Sequence, residues 1–360
     1  MAGNCMTKAL PKLLATAIGS MPHTDADAAV NLILSSLKTA PHLPQLSRRD
    51  PREQMWIQYS EKLPGFEVDL KNLKYYFNTS DQSSGAVEKF YEEYLKIVEG
   101  SPSEAFEISE DYGLGIKLFI ERLIKDHSKL SFLKAQVTGP LSFALSVTDE
   151  HGKPIFYHPI FKDVAVKGMG LKAMWLVEKL KPLTENVILF FDEPTLSAYG
   201  SSAFLGVSSS DVIESLNDVF SMASSLGAIT GVHCCGNTDW PLLMQTTVDI
   251  INFDAVDYLE SLAIYPEQLS NFLARGGVLA WGAVPNDSRI NQESVDLTSG
   301  RLRKGVSVLE AKGIKRELLL NHIIVTPACG CSSLTIEETE KVYAILSQID
   351  EMRFENIFKN

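Results

Sequence analysis

Two short stretches concentrate sulfur and imidazole in a chain that holds only five cysteines. Residues 231 to 237 read GVHCCGN, setting His233, Cys234 and Cys235 side by side, and residues 326 to 331 read TPACGC, with Cys329 and Cys331 two apart. In an extended strand alternate side chains face opposite sides, so His233 and Cys235 share a face and Cys234 points away. An imidazole and thiolates are borderline and soft ligands that suit Zn²⁺. Cys329 comes directly off the TPACGC strand and is the expected second thiolate, with Cys331 as the alternative. Asp254, at the end of the next strand after the histidine, either takes a fourth position or orients a ligand from behind. A set of His233, Cys235 and Cys329 leaves a place for substrate or water. The competing readings are a strained Cys234–Cys235 disulfide and burial of the cysteines as small hydrophobes.

Other residues stand at comparable positions. The stretch ILFFDEPTL puts Asp192 and Glu193 directly after four apolar residues, where unpaired acids are costly. One is expected to bind a substrate ammonium and the other to hold a loop, or the two belong to a structural salt bridge. In AIGSMP, Gly19 allows close backbone approach and Ser20 can bind a carboxylate, unless the segment is only a tight turn. Trp281 in WGAVPND is available for stacking or for packing.

The elements that must position these residues are short apolar runs of strand length, eight in all: 13–20, 43–47, 132–138, 186–192, 228–235, 248–254, 277–284 and 322–328. Several are apolar nearly throughout, as in a parallel sheet buried on both faces. Between them lie amphipathic stretches at about 86–98, 104–125, 165–181, 209–226, 263–275, 300–312 and 336–348, and a first helix with Thr24 as N-cap and Asp27 three residues on. This alternation predicts a single (β/α)8 TIM barrel over residues 1–360, with an open doubly wound sheet as the alternative. Residues 48–84 read as an insertion after the second strand, beside the barrel mouth. In such a barrel the active residues lie at the C-terminal strand ends.

Composition narrows the function classes. A formal charge of -12 speaks against nucleic acid, whose binding needs concentrated Lys and Arg. Hydrophobic content of 45% with 22% charged residues is that of a folded globular chain. The cysteine spacing lacks a disulfide framework and fits a reducing cytoplasm. No signal peptide and no membrane span are expected from the N-terminal stretch, where Cys5 is expected to be inert.

Taken together, TAIGSMPHT, QVTGPLSF, FDEPTL, HCCGNT and TPACG resemble, in order, segments of the cobalamin-independent methionine synthases, members of the uroporphyrinogen decarboxylase-like barrel superfamily. The resemblance implies the catalytic barrel of that family, zinc on His233, Cys235 and Cys329, and Asp254 where methionine synthases carry a glutamate ligand. It implies that Ile18, Gly19 and Ser20 hold the carboxylate of homocysteine, and that Asp192 holds its amine. The implied activity is methyl transfer to homocysteine to give methionine, from methyltetrahydrofolate or a methylated corrinoid protein. Two departures bear on the donor: the family's members are about twice as long, and the histidine they carry near WGAVPND is absent. HCCGNT also resembles the methylcobamide:thiol methyltransferases, which implies another thiol acceptor and a corrinoid donor. The shorter chain moves the expectation towards the corrinoid. A metal-free decarboxylase of the porphyrinogen type would call for arginines near the first strand, and IGSMPHT has none.

Overall fold

The structure is a computed structural model that describes residues 10–80, 85–126, 129–201 and 204–358; Cys5 lies outside them. Seven strands form one parallel sheet: β1 (Leu13–Ala15), β4 (Leu130–Thr138), β5 (Thr184–Asp192), β6 (Ile229–Cys234), β7 (Ile250–Asp254), β8 (Val278–Val284) and β9 (Ile323–Pro327), in the order β1-β9-β8-β7-β6-β5-β4. The two remaining strands, β2 (Phe66–Asp69) and β3 (Lys74–Phe77), make an antiparallel hairpin. Six of the expected strands are found within two residues of their predicted bounds, and the first is cut to three residues.

The expected second strand, 43–47, does not form. Its segment makes only isolated bridges, His42 with Lys134 and Ser20 with Gln45. On one side Leu43 N donates to Lys134 O (2.9 Å) and Lys134 N to Pro41 O (2.9 Å); on the other Gln45 N donates to Gly19 O (2.9 Å) and Met21 N to Gln45 O (3.0 Å). Pro41 and Pro44 have no N–H to give, so a continuous ladder cannot run through them. The segment still reaches both β4 and the end of the first strand, the two edges of the seven-stranded sheet.

The alternation of side chains divides the core. On one face of the sheet Leu14, Phe132, Ile188, Phe190, Ile229, Ile250, Val278, Ala280 and Ile324 form an apolar inner cluster. On the other, Leu133, Val137, Leu189, Phe191, Val232, Ile251 and Phe253 join a larger cluster with the helices. Trp281 belongs to this outer set, its ring 5.3 Å from that of Phe253, so it packs. The helix Pro159–Leu180 is buried on most sides and starts earlier than its periodicity suggests, with Pro159 in its first turn. Capping boxes start the helices Ser209–Ser225 (Ser208 and Asp211) and Ile336–Glu351 (Thr335 and Glu338). The first helix, Ala26–Ser36, is capped by Asp25, whose carboxylate accepts from the amides of Asp27 and Ala28, and not by Thr24.

The polar stretch 48–84 contributes more than loop. Phe66 and Phe77 of the hairpin pack edge to face at 5.1 Å, and Phe77 meets Phe143 beyond β4. Thr138 Oγ1 donates to Met55 O (2.6 Å) and Tyr59 Oη to Gln136 O (2.8 Å), which ties this segment to the C-terminal half of β4. Among the described residues no helix is long and apolar enough to cross a membrane.

Candidate metal centre

The inner face changes character towards the C-terminal strand ends. On β5 the row Ile188, Phe190 continues to Asp192, and the neighbouring β6 carries Ile229, Gly231 and His233 in register with it. On β7 Ile250 gives way to Asn252, and on β9 Ile324 gives way to Thr326. His233, Cys235 and Cys329 converge here, each offering one ligand atom within 4.8 Å of the others. His233 Nε2 lies 3.5 Å from Cys329 Sγ. All four described cysteines are free thiols, so the Cys234–Cys235 disulfide is not formed.

Two features prepare the imidazole. His233 Nδ1 hydrogen-bonds Asn252 Oδ1, while Asn252 Nδ2 donates to Ala280 O (3.0 Å) and Thr326 Oγ1 (2.8 Å). Because the Ala280 carbonyl can only accept, the amide is oriented with its oxygen towards the histidine, and Nδ1 must carry the proton. In the neutral ring Nε2 is then left with its lone pair towards the thiols, the tautomer a metal requires. The Cys235 thiol is lowered, first by its hydrogen bond with Cys329 and then by that with His233 in its protonated form, and the hydrogen bond with Cys235 raises Cys329.

The other two described cysteines lie in the outer core. Cys234 is fully buried in the outer core and its thiol is pushed up to about 12 by burial. Cys331, the alternative second thiolate, is also in that core, pushed up to about 12 by burial, while its amide donates to Ser20 O (2.8 Å). Of the two, Cys329 is the one that lies with His233 and Cys235.

Asp254 is not among the grouped side chains. Its Oδ1 accepts from Val256 N (2.7 Å) and Asp257 N (3.0 Å), closing the turn after β7. The orienting part expected of it is taken by Asn252, two residues earlier on the same face. Glu193 is fully buried, but its carboxylate accepts from Leu141 N (2.9 Å) and Ser142 N (2.7 Å). These are free amides of the first turn of the helix Pro140–Ser146, so Glu193 holds a helix start. Burial pushes Glu193 up to about 7.

Asp192 differs from its neighbour. Its Oδ1 is buried without a hydrogen-bond partner, and burial pushes the carboxyl up to about 6 against the pull of His233 and Lys134. Lys134, unremarked in the sequence reading, is fully buried on the same face. Its Nζ donates to Ile18 O (2.6 Å) and lies 4.6 Å from the Phe190 ring centroid, and burial lowers it to about 8. The Ile18–Gly19–Ser20 segment is therefore anchored from below. Gly19 has a φ of +142°, and a Cβ there would overlap the Gln136 amide. A Cβ at Gly330 would overlap the Ser20 hydroxyl, so Ser20 lies against the turn that carries Cys329. Lys134, Gln136 and Asn252 were each visible as polar residues inside apolar runs.

No sequence-family profile matches the chain, and no curated protein sequence matches it. Solved structures do. The chain is similar to a putative vitamin-B12 independent methionine synthase from Listeria monocytogenes, at 13% identity over 94% of this chain and 87% of that one, with a TM-score of 0.50. The likeness is one of fold. A B12-independent methionine synthase from Shewanella sp. W3-18-1, solved with selenomethionine, aligns at 19% identity and a TM-score of 0.40. This chain spans 65% of that protein, under two thirds of its length.

Proposed function

We propose that this chain is a zinc-dependent methyltransferase acting on a thiol, with homocysteine as the acceptor and methionine as the product. The observation that carries the reading is the meeting of His233, Cys235 and Cys329 from two distant strands, with the histidine tautomer set by Asn252. Two thiols and an imidazole with a free Nε2 form a donor set suited to zinc. A zinc ion held there would lower the pKa of a substrate thiol, making a thiolate available near neutral pH. The protein's own groups do the rest. Asp192 Oδ1, buried and without a partner, offers itself to an ammonium. The Ile18–Gly19–Ser20 backbone, pinned by Lys134, faces the substrate carboxylate. In this reading the segment at 41–45 completes a (β/α)8 barrel whose second position is reduced to bridges, and the whole chain forms one catalytic unit.

A site closed by four protein ligands, which would make the metal structural, is disfavoured by the burial of Cys331 in the core. The methyl donor is either a methylated corrinoid or methyltetrahydrofolate. Zinc-loaded protein incubated with homocysteine and each donor in turn tests the proposal. Methionine from one donor supports it and identifies that donor; no methionine from either, with zinc bound, overturns it.

A further inference from the structure

Gln136 is the polar neighbour of the Ile18–Gly19–Ser20 segment. It sits on the inner face of β4 and is 3% exposed. Its Nε2 donates to Leu43 O (3.1 Å), an atom that can only accept, so the amide cannot be turned over without setting two oxygens against each other. Its Oε1 is consequently fixed, buried and without a hydrogen-bond partner. The amide lies flat against the backbone of Gly19, whose lack of a side chain makes room for it. On the adjacent strand, β5, the register pairs Gln136 with Phe190 and Thr138 with Asp192, so the Asp192 side chain is the next inner-face group along. Asp192 Oδ1 is likewise buried without a partner. A buried acceptor left unpaired is costly, and two on neighbouring strands of one face call for a donor-rich group to meet them. Lys134 is not that group, since its Nζ donates to Ile18 O and hydrogen-bonds neither acceptor.

We propose that Gln136 is a specificity-determining residue of the thiol site: its Oε1 accepts a hydrogen bond from the amino group of the substrate, beside Asp192, and so selects thiols that carry an ammonium. This rests on the thiol-binding reading above. A carboxylate alone recognises any cation, whereas a carboxylate with a neutral, fixed carbonyl favours a group with several N–H donors.

The test compares homocysteine with its desamino counterpart, 4-mercaptobutanoate, by calorimetric binding to zinc-loaded wild-type protein and to Gln136→Met. Methionine matches glutamine in length and flexibility, so the inner face stays filled. The variant is expected to bind homocysteine about tenfold more weakly, the worth of one hydrogen bond to a charged group, with 4-mercaptobutanoate affected less than about twofold. Equal weakening of both thiols would show a merely structural amide and overturn the proposal. No change in either would show that water satisfies Oε1, and would overturn it too. Should Gln136→Met melt well below wild type, Gln136→Asn, which keeps an amide but withdraws it by one methylene, is expected to show the same selective loss. If the wild type binds neither thiol, the thiol-binding reading itself fails and takes this inference with it, whereas failure confined to the variant leaves that reading intact.

Discussion

The inner faces of the strands carry two regions one pleat apart. Towards the N-terminal ends, Leu14, Phe132, Ile188, Phe190, Ile229 and Ile250 fill the space with hydrocarbon. Further along the same strands, Lys134, Gln136, Asp192, His233, Asn252 and Thr326 carry groups that dislike burial, with Lys134 and Gln136 on β4 beside Ile188 and Phe190. Backbone geometry is the same in both, so the difference lies in energy. The first region stabilises the fold, at roughly 25 cal/mol per Å² of apolar surface removed from water. The second draws on that stability to hold an imidazole, two thiols and unpartnered acceptors in fixed positions, as the proposed ligand site requires.

Substitutions in the two regions should separate stability from metal binding. The largest effect is expected for Cys329→Ser, which removes one of three ligands: zinc measured by elemental analysis after dialysis should fall from about one per chain to a trace, with the melting profile of the metal-free protein little changed. Retention of stoichiometric zinc would remove Cys329 from the site. In the apolar region, Phe190→Ala should cost about 3–5 kcal/mol in denaturant unfolding while zinc content per folded chain stays the same. A drop in zinc with no loss of stability would reverse the assignment of the two regions.

Lys134 lies at the boundary and links the comparison to pH. Burial lowers its pKa from 10.5 to about 8 in the folded chain. Between those values the unfolded chain binds more protons, so stability rises with pH from about 8 to 10.5 and carries the full penalty below 8. Lys134→Met should flatten that rise, which amounts to on the order of 3 kcal/mol. An unchanged slope in unfolding curves taken across this range would mean that Lys134 keeps its ordinary proton affinity. The smallest effect is expected for Asn252→Ala. Releasing the imidazole should weaken zinc binding about 10–100-fold in competition with a chelator, with zinc still bound when in excess.

The alternation of strand residues made much of this legible beforehand. The separation of His233 and Cys235 from Cys234 follows from a period of two, and the strands are long apolar runs with few rivals for that reading. The 43–47 segment misled because its leucines suggest a strand while its prolines forbid the ladder. The hairpin Phe66–Asp69 and Lys74–Phe77 was hidden by polar residues on its exposed face. Glu193 and Asp254 look, in sequence, no different from Asp192. What separates them is whether nearby amides consume the carboxylate, and those amides belong to a helix start and a turn whose geometry is tertiary. Asn252, Lys134 and Gln136 were passed over because a polar residue inside an apolar run reads as an interruption, whereas here each marks the level at which the inner face turns polar.

Under the proposed function, His233, Cys235 and Cys329 would hold one zinc ion and leave a position for the sulfur of the substrate. X-ray absorption at the zinc edge, on the protein alone and with homocysteine, tests it most directly. The expected shell is two sulfurs and one imidazole nitrogen with a lighter fourth atom, and a third sulfur joins it when the thiol is added. A shell that homocysteine leaves unchanged, or one that already holds four protein ligands, would contradict it.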